Sequence, residues 1–350
     1  MRIKLIALSI CALGGVIFIT ILYSFSYKIN HQKNGFNRII GKGHDHWKLI
    51  SALDLKYNSY YIAGITDSHI YLGNSTSTSL LLSTDYKLKD THTSRIIAPD
   101  TNKIAWKALK VFVDSPNVYM MEGILPSILH CDLHSLKSFR YNARINNFST
   151  SLPLSNTTYV YRSFDTKNNQ NILVKENLNT GVVKFPKILE NQQDGVFSVD
   201  GMLAYEANAG RLVYLYFYRN QFICMDSDLT VLYKGNTIDT IKHAHITVST
   251  LKDYNNKMTL SSPPLIVNRA ICIDSDRIFI NSNLVSDNEP KQLTSTNSSI
   301  DVYSLKDGKY EFSFYIPMYK NKKLTEFRIK NDLAIVINNE YLLVYKLNQF

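Results

Sequence analysis

The sequence predicts an all-β body, a six-bladed β-propeller, preceded by one N-terminal transmembrane helix. Three observations lead to this prediction. One stretch holds four short apolar runs separated by turn residues, apolar hairpins recur along the chain, and residues 5–25 are continuously apolar. The chain has 350 residues, more than one ordinary core fills, which favours either two domains or one ring built from repeats.

The clearest blade lies between Asp194 and Thr240. Its four apolar runs are Met202–Glu206, Leu212–Tyr218, Gln221–Met225 and Thr230–Tyr233. Turn residues separate each run from the next, which is typical of an up-and-down antiparallel sheet. A sheet of four such strands has the form of one propeller blade.

The run Leu212–Tyr218 is apolar on both faces, since alternate side chains of a strand point to opposite sides. A strand of this kind must be covered on both faces, and a blade between two neighbouring blades meets that demand. A buried helix is the alternative interpretation. A run of about seven residues is short for a helix, and its β-branched and aromatic content favours a strand.

Similar hairpins recur along the chain at a spacing of roughly 40–65 residues, which is in the range of propeller blades. Their turns centre on Asp67, Pro116, Asn168, Asn208, Ser275 and Asn338. The last pair of runs, Leu333–Ile337 and Tyr341–Lys346, lies close to the C-terminus. We expect it to complete a blade with early strands near Tyr60, which closes the ring and removes free sheet edges.

Residues 5–25 form an apolar span of about 21 residues, long enough to cross a bilayer as a helix. A cleaved signal peptide is the alternative, because Arg2 and Lys4 suit its basic start and Ser24-Phe25-Ser26 resembles a cleavage site. The length of the span favours an uncleaved anchor. The predicted domains are an anchor or signal peptide at 1–27, a linker at 28–54 and the propeller at 55–350, with the body outside the cytoplasm.

Composition and motifs exclude several classes of function. The net charge is +10, but no long Lys/Arg block or Arg–aromatic pattern indicates nucleic-acid binding. No CxxC, G-x-S-x-G, P-loop or Rossmann fingerprint occurs. His130 and His134 flank Cys131 and Asp132, which are metal-ligating residue types, yet no further ligand group is identifiable. The sequence therefore assigns no catalytic residue, no metal site and no cofactor.

Polar residues cluster on both sides of the clearest blade. Turn capping and hydrogen bonds between blades are one interpretation of them. The functional interpretation is that they line one mouth of the central channel, where loops from all the blades converge. The candidate ligand-binding residues are Asp194, Asp200, Arg219, Asn220 and Asp239.

The body resembles the TolB-like superfamily of six-bladed β-propellers. More narrowly, residues 55–348 are similar to a family of membrane-anchored propeller proteins of Bacteroidota. The segments that carry this resemblance are Tyr71–Asn74, Gln193–Gly201, Tyr218–Phe222, Thr237–Thr240 and Phe314–Pro317. The resemblance implies a single-pass inner-membrane protein with its body in the periplasm, and it brings no activity with it.

The predicted function is that of an extracytoplasmic interaction or sensing module, tethered to the membrane through residues 5–25. It would bind a protein partner or a small ligand at the channel mouth. The alternative is a metal-dependent hydrolase of the lactonase type, since some six-bladed relatives are calcium-dependent lactonases. Their pattern of metal ligands is not recognisable in this sequence, which disfavours an enzyme.

Overall fold

The body of the protein is a closed ring of six four-stranded antiparallel sheets in a computed structural model. The structure describes residues 2–30, 33–41, 47–99, 103–141, 144, 147–251 and 257–347. We call the strands of each blade A to D, from the channel outward, because the first strands of most neighbouring blades contact one another. The prediction of a six-bladed propeller is confirmed.

Within each of the first three blades the strands follow one another in sequence order. Blade 1 consists of β2 (Tyr60–Ile65), β3 (His69–Asn74), β4 (Leu80–Asp85) and β5 (Thr91–Arg95). Blade 2 consists of β6 (Lys110–Asp114), β7 (Asn117–Glu122), β8 (Ser127–Asp132) and β9 (Phe139–Tyr141). Blade 3 consists of β10 (Phe148–Pro153), β11 (Thr158–Asp165), β12 (Gln170–Asn177) and β13 (Gly181–Phe185).

Blades 4 and 5 have the same order, and a two-stranded hairpin lies in the chain between them. Blade 4 consists of β14 (Gly201–Glu206), β15 (Arg211–Tyr216), β16 (Gln221–Asp226) and β17 (Val231–Asn236). The hairpin pairs β18 (Val248–Leu251) with β19 (Lys257–Leu260). Blade 5 consists of β20 (Asn268–Asp274), β21 (Arg277–Ser282), β22 (Asn297–Ser304) and β23 (Tyr310–Pro317), with the short helix α2 (Lys291–Thr296) before β22.

Blade 6 joins the two ends of the described chain. Its strands are β24 (Glu326–Lys330), β25 (Leu333–Asn338), β26 (Tyr341–Lys346) and β1 (Lys48–Asp54). The N-terminal strand β1 pairs antiparallel with β26, from Lys48 opposite Lys346 to Asp54 opposite Tyr341. The sequence placed Lys48–Asp54 in the linker and expected the closing strand near Tyr60. Tyr60 instead begins the inner strand of blade 1.

The core is a ring of six apolar clusters, each of which fills the space between two neighbouring blades. Strand β15 is apolar on both faces because each face packs against a different neighbouring blade. Leu212, Tyr214 and Tyr216 pack toward blade 3, whereas Val213 and Leu215 pack toward blade 5. The prediction of a strand covered on both faces is therefore confirmed.

The predicted strand Leu212–Tyr218 is two residues too long at its C-terminal end. Strand β15 ends at Tyr216. Phe217 and Tyr218 are only partly buried. The Phe217 carbonyl instead accepts the backbone N–H groups of Val267 and Asn268, at 2.8 and 3.1 Å. A continuous apolar run does not mark where pairing with the next strand stops, so the sequence alone could not set this boundary.

The N-terminal helix α1 spans Arg2–Asn30. Within the described residues, no helix combines the length and apolar character that crossing a membrane requires. This finding overturns the predicted transmembrane helix at residues 5–25 and the predicted single-pass inner-membrane location with a periplasmic body. Within α1 the hydroxyl of Thr20 donates to the Val16 carbonyl, and that of Ser24 donates to the Thr20 carbonyl.

Candidate functional site

The B–C and D–A loops open on the face of the ring that carries all five predicted ligand-binding residues. Asp194 and Asp200 precede β14, Arg219 and Asn220 join β15 to β16, and Asp239 follows β17. Because the strands of a blade alternate in direction, these three connections lie at the same end of blade 4. The structure thus brings the five residues to one end of the blade, although their side chains differ in burial.

Arg219 is buried, with 1% of its surface exposed. Its guanidinium donates to the Ser198 carbonyl at 3.1 Å and the Glu190 carbonyl at 2.9 Å, and it stacks 3.6 Å from the centre of the Tyr216 ring. A further bond at 2.9 Å reaches Gln221 Oε1. Burial lowers the pKa of Arg219. The side chain therefore ties the loop before β14 to the loop after β15.

Asn220 and Asp239 are also buried. Asn220 binds the loop that follows β17, and the Asp239 carboxylate binds residues of that same loop. Asn220 Nδ2 donates to the Asp239 carbonyl at 2.6 Å. The Asp239 carboxylate accepts the Thr237 hydroxyl at 2.5 Å and the Ile241 N–H at 2.9 Å. Burial raises the pKa of Asp239, and these two hydrogen bonds act in the opposite direction.

Replacing Asp239 with asparagine should flatten the pH dependence of stability. A carboxyl whose pKa is raised by folding is protonated to a greater extent in the folded chain than in the unfolded chain. The free energy of unfolding therefore falls as pH rises above 3.8, and it stops falling once pH passes the folded-state pKa. Asparagine does not titrate, and its oxygen and amide can still bind Ile241 and Thr237. We expect the parent to lose stability relative to Asp239→Asn as pH rises above 3.8, measured by urea unfolding at several pH values. A difference between the two proteins that is independent of pH would contradict this expectation.

Asp194 caps the turn that leads into blade 4. Its Oδ1 accepts the backbone N–H groups of Val196 at 2.7 Å and Phe197 at 2.5 Å. Its carbonyl accepts the Ser198 hydroxyl. These contacts are those of an Asx turn, in which a short carboxylate replaces a backbone acceptor.

Asp200 is partly buried, with 23% of its side chain exposed. It forms an ion pair at 2.8 Å with Arg162 of strand β11, so the pair spans the interface of blades 3 and 4. Burial raises the pKa of Asp200, while the Arg162 charge acts to lower it. A half-buried carboxylate at a loop face is open to a cationic or hydrogen-bond-donating partner group.

Arg162 was not among the residues predicted from the sequence to form the site. Its guanidinium also donates to the Tyr214 hydroxyl at 3.1 Å and the Ser149 hydroxyl at 3.0 Å. A signal for it was present, because Tyr159-Val160-Tyr161 is otherwise a buried apolar run, and an arginine that continues such a run needs a buried partner.

The two faces of the ring differ in their exposed apolar side chains. The B–C and D–A loops carry several large ones, whereas the A–B and C–D loops, all within the described residues, carry none that is exposed. The exposed side chains on the first set of loops are Tyr57, Ile97, Ile124, Leu125, Ile266 and Val285. The B–C and D–A loops therefore hold both the Arg162–Asp200 pair and the exposed apolar side chains.

The histidine-containing segment has ordinary structural contacts. His130 Nε2 lies 2.8 Å from Asn117 Oδ1, and His134 pairs with Asp132 at 2.9 Å. Within the described part of the chain, no group of three or more His, Cys, Asp or Glu side chains is placed to hold a metal ion. Cys131, Cys224 and Cys272 are buried thiols that lie in the apolar clusters between the blades.

No family model and no curated protein matches this chain. Solved structures do match it. A member of the DUF4221 family from Bacteroides vulgatus is 13% identical with a TM-score of 0.51, over 90% of this chain and 98% of that one. A catalytically inactive virginiamycin B lyase from Staphylococcus aureus, with quinupristin, is 10% identical with a TM-score of 0.49, over 87% and 100% of the two chains.

At these identities the comparisons show the fold alone. The class that they support is the six-bladed β-propeller, in agreement with the ring described above. Membership of the TolB-like superfamily and of the membrane-anchored family of Bacteroidota stays a prediction from the sequence.

Proposed function

We propose that the protein is an interaction module that binds a protein partner through the face formed by its B–C and D–A loops. The observation that carries the proposal is the difference between the two faces, since exposed apolar loop side chains lie on one of them. Apolar side chains that solvent would otherwise surround favour association with another protein surface. The propeller fold also commonly serves protein interaction, because it presents many loops on a rigid ring.

The Arg162–Asp200 pair supports the same face. A charged pair that is partly open to solvent restricts how a partner can bind to an otherwise apolar surface, because the partner must place a complementary charge against the pair. Tyr218, which is partly buried on the B–C loop of blade 4, adds an aromatic group to this face, and burial raises the pKa of its hydroxyl. Among the described residues, no cluster of metal ligands favours the hydrolase alternative.

Site-specific photo-crosslinking tests the proposal in cells that produce the protein. A photoreactive residue placed at Ile124, on the B–C loop of blade 2, should form an adduct with one partner protein. The first control is Val183, which is similarly exposed (55% against 59%) but lies on an outer strand. The second control is Asn208, on the A–B loop of blade 4. Neither control should yield the adduct.

The Asp200→Asn variant should reduce the yield of that adduct from position 124. It should also lower the thermal melt, because it leaves the buried Arg162 guanidinium without its carboxylate, so the crosslinking is compared at a temperature at which the variant is folded. An adduct of equal yield from Asn208, or no protein adduct from Ile124, would overturn the proposal.

A further inference from the structure

The outer edge of blade 5 holds a chain segment that lies outside the closed ring. Blade 5 already has its four strands, and the pairing of β1 with β26 closes the ring. Segment 33–41 runs parallel to the outer strand β23, where the Ser313 N–H donates to the Ile39 carbonyl at 2.7 Å and the Gly41 N–H donates to the Ser313 carbonyl at 3.0 Å. Addition of an extended strand to a sheet edge is a recurring mode of peptide recognition. We call the surface that binds it, formed by loop residues 285–289 with β22 and β23, the blade 5 groove.

Side chains of the loop before α2 bind the backbone of the segment. The Asp287 carboxylate accepts the backbone N–H groups of Asn34 at 2.7 Å and Gly35 at 3.0 Å. The Asn288 side chain accepts the Arg38 N–H at 3.0 Å and donates to the Arg38 carbonyl at 2.9 Å. Main-chain bonds of this kind contribute affinity for an extended chain, whereas specificity comes from pockets for its side chains.

Alternate side chains of the segment are buried in the groove. Phe36 and Arg38 are 7% and 3% exposed, whereas Asn37 between them is exposed and Ile39 is 63% exposed. This alternation is that of a strand with one face bound to a surface. The Arg38 guanidinium lies 5.2 Å from the centre of the Phe36 ring, so the two buried side chains also contact each other.

The pocket for the arginine contains two buried carboxylates, those of Glu289 and Asp301. Among the residues that the structure describes, Arg38 is the one basic side chain that forms an ion pair with either of them. Asp301 lies in β22 between Ile300 and Val302, which are both fully buried. A carboxylate in such a position is costly unless a cation is paired with it. The groove is therefore suited to an arginine, which segment 33–41 supplies.

We propose that the blade 5 groove is a peptide-recognition site for an extended segment that carries phenylalanine and, two residues later, arginine, and that segment 33–41 is its resident ligand. Residues 42–47 tether this ligand to β1. A tether of this length gives an effective concentration in the millimolar range, which excludes the same sequence offered on a separate molecule. Displacement of the segment exposes both carboxylates, and the groove then binds an arginine-bearing segment of another chain. The site lies at the rim of blade 5, and its test does not depend on the partner-binding face proposed above.

Fluorescence anisotropy with a labelled peptide of residues 33–41 tests this site on the full chain. The acceptor is the double variant Phe36→Ala, Arg38→Ala, whose own segment lacks both buried side chains while the groove is intact. It should bind the peptide saturably, and the parent, whose groove is filled, should bind it about a hundredfold more weakly. The Arg38→Ala peptide should also bind about a hundredfold more weakly, because it leaves both carboxylates unpaired. The Asn37→Ala peptide is the matched control and should bind like the parent peptide, since the Asn37 side chain is exposed.

A second measurement keeps the parent side chains and so does not depend on the folding of the double variant. A protease site is inserted after Gly41, and the folded full chain is cleaved there. The N-terminal fragment should stay bound in size-exclusion chromatography, and excess peptide 33–41 should displace it, whereas the Arg38→Ala peptide should not. Release of the fragment on cleavage alone, no peptide binding by a double variant that unfolds cooperatively, peptide binding by the parent as strong as by the double variant, or equal binding of the Arg38→Ala peptide would each overturn the proposal.

Discussion

Replacing Arg38 with alanine should lower the free energy of unfolding by about 3–5 kcal/mol, as expected when one partner of a buried ion pair is removed. Arg38 lies in the segment 33–41, before the ring, and only 3% of its surface is exposed. Its guanidinium forms a two-point contact with Asp301, at 2.7 and 3.1 Å, and a further ion pair with Glu289. The alanine variant leaves both carboxylates without their cation.

The cluster around Arg38 is closed to water on all sides that the structure describes. Ser313 donates to Asp301 at 2.5 Å, and Tyr315 donates to Glu289 at 2.7 Å. Burial alone would lower the pKa of Arg38, but the two carboxylates outweigh it and raise the pKa. The guanidinium therefore stays charged at every pH at which the protein is folded, and the cost of its removal is electrostatic.

Urea unfolding of three variants measures this cost. Arg277→Ala in the same blade is the matched control, because the Arg277–Glu311 pair is about one-third exposed and should be worth less than about 1 kcal/mol. The triple variant Arg38→Met, Asp301→Asn, Glu289→Gln should lose less stability than Arg38→Ala, since it leaves no buried charge unpaired. Equal, small losses for Arg38→Ala and Arg277→Ala would show that the cluster is not a buried ion-pair network.

The strands of the blades could be predicted because each strand is recognisable from its own local sequence. Strand β15 is apolar on both faces, and its neighbours are bounded by turn residues, so the local sequence specifies strand, turn and burial together. Each of the six turns predicted from the sequence joins two paired strands of a different blade. A repeated unit of this kind leaves few alternatives to a closed ring.

The N-terminal part of the ring was not predictable in the same way. Strand β1 is mostly exposed, so Lys48–Asp54 has no continuous apolar run, and its partner β26 lies at the other end of the chain. The segment 33–41 docks on the outer strand of blade 5, where Gly41 N–H donates to the Ser313 carbonyl at 3.0 Å. Contacts between segments that lie so far apart in the sequence produce no local pattern from which the contacts could be predicted.

The candidate site was also only partly predictable from the sequence. The turns that flank one blade meet at its ends, which places Asp194, Asp200, Arg219, Asn220 and Asp239 at one end of blade 4. Their role in ligand binding stays a prediction. Which of them is buried depends on contacts from other loops, such as Glu190 and Ser198 around Arg219. Arg162 belongs to another blade, so the sequence of blade 4 could not name it as the partner of Asp200.

A chain that begins at Leu55 should lose cooperative unfolding. Strand β1 is the outer strand of blade 6 and runs through residues 55–59 into blade 1, so it is the covalent link that closes the ring. Without it, β26 presents an unpaired edge, and blades 6 and 1 are held together only by their apolar cluster. Leu53 packs against that cluster, so this truncation also removes part of its packing, although Leu55 is kept.

A chain that begins at Lys48 separates ring closure from the Arg38 cluster. It lacks segment 33–41 but keeps β1, so we expect a single cooperative urea transition at a lower midpoint. The chain from Leu55 should instead show a broad transition with a smaller m-value, because a ring that opens no longer unfolds as one unit. A chain that ends at Asn338 and so lacks β26 should behave like the chain from Leu55, since it breaks the same link from the other side. Equal midpoints and m-values for the chains from Lys48 and Leu55 would show that β1 does not close the ring energetically.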